Sequence, residues 1–254
     1  MELRTLAGAA FVDFFHCRRR ECLENTQRVI ELARTVDDPH GELLTPWGAA
    51  VAELATGHLD AARHHVSEGM TVAERIRDRY WLCGTLVSRD YVFRVQGDWQ
   101  TVRESIDQGL ELLPMETRLL SVRVSLEYDV GDFEQGEAYL ERYLEAMRSV
   151  PAGPSAEHGF IAGMIPLVGR ITDSPYRSGI IESAAQTVFS SALATPLVPA
   201  HTRAGVAMLT VERGGVAAAQ EQYASLKPLQ GGMLPQFLIT IDRLWASWPT
   251  PWST

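Results

Sequence analysis

The sequence predicts an all-α protein of about six helix pairs plus a terminal helix, and three observations predict it. A short turn signal returns along the chain as Gly57-His58-Leu59-Asp60-Ala61-Ala62, Gly97-Asp98-Trp99-Gln100-Thr101-Val102, Gly131-Asp132-Phe133-Glu134-Gln135-Gly136 and Gly214-Gly215-Val216-Ala217-Ala218-Ala219. Apolar residues follow these signals at steps of three and four, the spacing of one helix face. Strand signals are scarce, because alternating β-branched runs bounded by hairpin turns are absent. The signal glycines are separated by 40, 34 and 83 residues. The last gap is about twice the others and so hides one degenerate copy, for which Thr172-Asp173-Ser174-Pro175-Tyr176 supplies a polar turn. Units of roughly 40 residues fit the helix-pair class of repeat.

The elements follow in order. Counting back from Gly57 places the first turn at His16 to Arg20, and Asp37-Asp38-Pro39 marks the end of the helix after it. The first helices of the next units read as Leu44–Thr56, Trp81–Gln96, Glu116–Val130, Phe160–Ile171 and Thr202–Glu212. After Gly97 the stripe is Trp99, Val102, Ile106, Leu110 and Leu113; after Gly131 it is Phe133, Gly136, Leu140, Tyr143 and Met147. The last copy gives Val216, Ala219, Tyr223, Leu226 and Leu229. In each turn the Gly ends one helix by accepting a left-handed backbone, and the Asp or its neighbour caps the next. Leu113-Pro114, Val150-Pro151, Thr195-Pro196 and Lys227-Pro228 stop the second helices, since Pro cannot continue one. Val150-Pro151-Ala152-Gly153-Pro154-Ser155-Ala156 is a long polar loop and a flexible joint at 150–156 within a single repeat domain, 1–254. Gln230-Gly231-Gly232-Met233-Leu234-Pro235 precedes a final capping helix from Gln236 to about Trp248, and the tail 249–254 frays.

Composition narrows the function. With 254 residues, 46% of them apolar, the chain has ample material for a core. Its 23 Lys and Arg against 32 Asp and Glu, a net charge of −9, argue against an electrostatic nucleic-acid binder. Three cysteines make no disulfide framework and fit a reducing, cytoplasmic setting. The start carries Glu2, Arg4 and Asp13, too many charges for a signal peptide, and nothing later is apolar enough to span a bilayer.

At its turns the chain resembles a tetratricopeptide-type repeat, whose pattern sets a small residue, an acid and an aromatic at the turn and a small residue three positions on. Gly97-Asp98-Trp99 and Gly131-Asp132-Phe133 with Gly136 match it; Val102 departs from the small position, and Gly57-His58-Leu59-Asp60 with Ala62 matches more loosely. The resemblance covers Leu44 to Met147, and the units run longer than that family's 34 residues except between the third and fourth. A narrower similarity links Gly215-Val216-Ala217-Ala218-Ala219-Gln220-Glu221-Gln222-Tyr223-Ala224-Ser225-Leu226 to the helical arms of bacterial LuxR-type and cyclase-linked ATPase regulators. Such arms are implied to sense an effector or partner while other domains bind nucleotide and DNA. Here the single lysine, Lys227, precedes a Pro, and no Gly-x4-Gly-Lys-Ser/Thr loop exists. The chain reads as such an arm or a stand-alone relative, and the fold expected is a right-handed α-α superhelix.

Chemistry is harder to find. His16, Cys17 and Cys22 offer three ligands within seven residues, short of the four that a structural zinc site needs, and His58, His64 and His65 lack the His-Glu-x-x-His spacing. There is no Gly-x-Ser-x-Gly elbow, Cys83 sits in an apolar helix beside Trp81 and Leu82, and Asp37-Asp38 lie at a helix end. Arg18, Arg19 and Arg20 read as a solvated face. No metal, cofactor or catalytic residue is expected.

The positions that suit recognition lie on the first helices, which in this architecture line the concave wall. The repeat register places Trp47, Val51 and Leu54, then Val87, Tyr91 and Arg94, then Arg118, Ser121, Ser125, Tyr128 and Asp129 there. Aromatic and guanidinium groups offer contact area and directional hydrogen bonds; the alternative register makes Trp47, Tyr91 and Tyr128 core residues. The expected function is a non-catalytic module binding a protein or peptide segment, or a small effector, within a bacterial signalling or transcription-regulatory system, without direct contact to nucleic acid or membrane. The alternatives are a scaffold that forms homo-oligomers through Trp245, Trp248 and Trp252, and an all-helical enzyme.

Overall fold

The computed structural model describes residues 2–36, 38–151, 153–167 and 175–246. The chain is all-α and forms two compact units, Met1–Pro151 and Ala152–Thr254. The first holds α1 (Glu2–Phe15), α2 (Arg19–Ala33), α3 (Pro39–Ala55), α4 (Leu59–Ile76), α5 (Arg79–Gln96), α6 (Trp99–Leu112), α7 (Thr117–Val130) and α8 (Phe133–Met147). The second holds α9 (Ala156–Leu167), α10 (Pro175–Phe189), α11 (Leu197–Glu212) and α12 (Val216–Leu226). A two-stranded hairpin, β1 (Met233–Leu234) with β2 (Ile239–Thr240), and α13 (Ile241–Ala246) complete it. The described residues thus contain six successive helix pairs and one further helix.

The turn glycines do what their spacing requires. Gly57, Gly97, Gly131 and Gly214 all have φ between +76° and +85°, where a side chain would be strained. Asp98 then caps α6 by accepting from the Thr101 N–H at 3.3 Å, and Asp132 caps α8 from the Gln135 N–H at 3.3 Å. At the other two turns His58 and Gly215 occupy the cap position without a side-chain bond.

Within the first unit each pair packs as a hairpin, and α1, α3, α5 and α7 also pack on one another in succession, while each second helix leans on the next first helix. A first helix therefore has neighbours on several sides. Cys83 to Ser88 of α5 and Leu119 to Tyr128 of α7 are buried without a break, which removes the one-sided pattern of an amphipathic helix. The second helices α4, α6 and α8 keep apolar stripes such as Val102, Ile106 and Leu110 inward.

In the second unit α9 and α11 cross at glycines. Added methyls at Gly159 and Gly163 would meet Val198 Cγ1 at 2.9 Å and the His201 carbonyl oxygen at 2.7 Å, and one at Gly205 would overlap the Ala162 carbonyl oxygen. Backbone-to-backbone approach this close leaves no room for a Cβ. It also buries every residue of α9 from Gly159 to Pro166.

Several boundaries differ from the sequence reading. Pro39 opens α3 at its first turn, capped by Asp38 accepting from Gly41 N–H at 3.3 Å, so Asp38-Pro39 belongs to a helix start; α2 has already ended at Ala33, and Asp37 lies outside the described residues. Pro46 and Pro166 sit inside helices. The final helix begins at Ile241 and not at Gln236, because Pro235 and Leu238, with φ +51°, turn the chain into the hairpin first. Residues 168–171, the polar turn over 172–174 and the tail 249–254 lie outside the described residues, as do Trp248 and Trp252.

Candidate functional site

The eleven residues placed on the inner wall divide by exposure. Val51, Leu54, Val87, Tyr91, Arg94, Ser121, Ser125 and Tyr128 are buried, with Tyr91 only 2% exposed, and Trp47 and Arg118 are half-buried. Only Asp129 is open to solvent. Trp47 closes an aromatic cluster with Phe11, Phe14 and Phe15 of α1, at centroid distances from 5.1 to 6.1 Å. The Ser121 hydroxyl donates to the Arg118 carbonyl at 2.7 Å and that of Ser125 to the Ser121 carbonyl at 3.1 Å, so α7 absorbs both in its own backbone. Arg118 clamps Glu116 with Nε at 2.7 Å and lies 4.4 Å over the Tyr80 ring, on the bare backbone at Gly84. Arg94 pairs with Asp129 across α5 and α7.

Charge in this unit is mostly knitted inward. Glu127, fully buried on α7, receives Arg103 Nε from α6 at 3.0 Å and Arg123 Nε at 2.5 Å, and Arg123 continues to Asp107 at 2.7 Å. Burial pushes the Glu127 carboxyl up, but the two guanidiniums outweigh it and hold the group below the ordinary carboxylate range. Arg123 and Arg142 also flank the Tyr139 ring at 4.6 and 5.0 Å. Asp90 on α5 is the opposite case. It is completely buried, its carboxyl oxygens have no donor in hydrogen-bond geometry among the described residues, and Arg89 Nε stands 3.9 Å away. Burial pushes its pKa up to about 8 against the pull of Ser105, Arg89 and Arg94, so at neutral pH it is largely protonated.

The thiols and imidazoles are similarly occupied. Burial pushes Cys22 up to about 12 and Cys83 up to about 11, and the Cys83 thiol faces the Gly109 carbonyl oxygen at 3.6 Å. Neither supplies thiolate at neutral pH. His58 meets Glu53 at 2.7 Å, His64 and His65 both meet Glu68, and no group of three or more His, Cys, Asp or Glu able to hold a metal ion occurs among the described residues. Arg18 pairs with Asp13 at 2.6 Å and Arg20 with Glu24 at 3.6 Å. In the second unit His201 is buried between Phe160 and Phe237, at 5.7 and 5.0 Å between centroids, and burial lowers its pKa to about 3, leaving it neutral. No helix among the described residues is long and apolar enough to cross a membrane.

What the first unit leaves outside is an edge made by the turns within its third and fourth helix pairs. Trp99 and Phe133, the aromatics of the repeated signal, are 44% and 38% exposed, and Val95 is exposed just before the first of these turns. Arg103, one helical turn beyond Trp99, reaches Glu127 and lies 4.0 Å from Asp132, the residue before Phe133. That approach brings the two turns near one another. Phe133 leans on Tyr128 at 5.8 Å, whose hydroxyl bonds Glu137. Around them Asp98, Glu104, Asp129, Asp132 and Glu134 are exposed. Segments 94–104 and 127–137 together carry seven carboxylates and two arginines, and both arginines point into ion pairs. The signal for this surface was present in the sequence as the turn motif itself, read there for its role in folding.

No family model matches the chain, and no curated protein or solved structure matches it.

Proposed function

We propose that this chain is a non-catalytic binding module of stacked helical hairpins, a tetratricopeptide-like right-handed superhelix, that engages a protein or peptide segment in a bacterial regulatory system. The observation that carries this reading is the recurrence of an exposed aromatic at one position of successive hairpins, Trp99 and Phe133, while the buried Glu127 is held by Arg103 and Arg123. A motif required only for the turn needs Gly and Asp; a partly exposed aromatic at the same place twice is the kind of anchor interfaces use. Passing the binding event to a linked or associated regulatory domain follows from the similarity to regulator arms and from the near-independence of neighbouring hairpins.

The test is to pan the intact chain against a phage-displayed library of random peptides of about twelve residues and to titrate recovered peptides calorimetrically. Convergent sequences with saturable, one-to-one binding support a peptide-binding module. Failure of any peptide to converge and bind refutes it.

A further inference from the structure

We propose that the edge formed by the turns after α5 and α7 docks a cationic, amphipathic peptide segment, with Trp99 and Phe133 as apolar anchors and Asp98, Glu104, Asp132 and Glu134 as the charged rim. This rests on the binding-module reading and names the site and the chemistry of its partner.

Three features select that occupant. The first is the pairing of anchors: Trp99 and Phe133 begin α6 and α8, two helices of adjacent hairpins, and the reach of Arg103 to Asp132 brings their turns together. Large rings held at helix starts lose little freedom when covered. The second is charge. The only two arginines of the edge segments are already committed, Arg94 to Asp129 and Arg103 to Glu127, so the exposed charge left over is the carboxylate of Asp98, Glu104, Asp132 and Glu134. A phosphate-bearing partner, whether nucleic acid or an anionic lipid surface, is repelled there, whereas Lys and Arg side chains are drawn in. The third is rigidity. Asp98 and Asp132 are fixed by their cap bonds to Thr101 and Gln135 N–H, and Gly97 and Gly131 by their left-handed turns, so the rim is in place before a partner arrives. The apolar positions of a segment would cover the two rings, and its basic positions would meet the rim.

The experiment uses the full chain and two fluorescein-labelled peptides of about fourteen residues, one of Lys and Leu in helical amphipathic order and a twin with Glu for Lys, read by fluorescence anisotropy. The Lys peptide is expected to bind saturably and more weakly as salt rises, and the Glu twin is expected not to bind. Trp99→Ala with Phe133→Ala should weaken binding about tenfold or more, and Glu104→Gln with Glu134→Gln, which removes charge without touching the caps, should weaken it severalfold. Leu193→Ala, at an 85% exposed residue of the second unit, should leave it unchanged. Circular dichroism checks that each variant is folded; if the aromatic pair fails to fold, the glutamine pair decides. No saturable binding of the Lys peptide, equal binding of the Glu twin, or affinity untouched by both edge variants overturns the proposal. Library peptides that bind wild type and both edge variants alike would refute the edge alone, leaving the module reading standing.

Discussion

Replacing Asp90 by Asn should change how stability depends on pH, and the structure fixes the sign. Asp90 has no exposure, and burial raises its pKa to about 8 in the folded chain. In the unfolded chain the same carboxyl loses its proton near the ordinary aspartate value of 3.8. Between those two values the folded state holds a proton that the unfolded state has released, so stability falls as pH rises through the window and levels off above it. Each pH unit inside the window is worth about 1.4 kcal/mol, so from pH 5 to pH 8 the loss is on the order of 4 kcal/mol at most. Asn is nearly isosteric with the protonated acid and does not titrate. Guanidinium unfolding of wild type and Asp90→Asn at pH 5, 6, 7 and 8 isolates the effect, because every other group titrates alike in both. The variant should gain on wild type steadily across the series. A difference that is flat with pH, or that moves the other way, would mean that Asp90 is ionised and paired with Arg89 or Arg94, and the reasoning from burial would fail.

Glu127→Gln leaves Arg123 and Arg103 facing a neutral amide in the interior, at a cost of about 3 kcal/mol, or roughly 6–12 °C in Tm, measured by calorimetry at pH 7. The Glu127 pKa is depressed, so its contribution is present above the unfolded carboxyl's value and is lost as pH falls through the lower folded one; wild type and variant should converge in acid. Gly205→Ala forces a methyl onto the Ala162 carbonyl and within 2.6 Å of the Gly163 Cα, so the α9–α11 crossing must open. We expect a loss of about 3 kcal/mol or more seen as early unfolding of the second unit by hydrogen exchange, against little change for Gly179→Ala, where nothing lies within 4 Å.

The turns were legible because glycine in the left-handed region and Asp at a cap are local requirements, satisfied or not within six residues. Gly97-Asp98 and Gly131-Asp132 show both. The boundaries were less so. Pro39 can stop a helix or open one, and only the cap bond from Gly41 to Asp38 decides; the hairpin at Met233–Thr240 is too short to show alternation. The wall residues were the hardest. A register argument assumes that one side of a first helix stays open, but α5 and α7 pack against several neighbours, and long stretches of both are closed. Asp90 and Glu127 were missed for a related reason: a lone acid in an apolar helix reads as a solvent-facing position until partners on other helices are known. In sequence Trp99 and Phe133 continue an apolar stripe, and only their exposure separates them from Val102 and Leu140 beneath.

If the turn edge of the first unit is the binding surface, a bound partner must protect it. Hydrogen–deuterium exchange of the intact chain with and without a peptide recovered from the library tests this most directly. Protection concentrated in residues 97–104 and 131–137, with the rest unchanged, is the result expected; protection centred on α10 to α13, or none in either segment at saturating peptide, would contradict it.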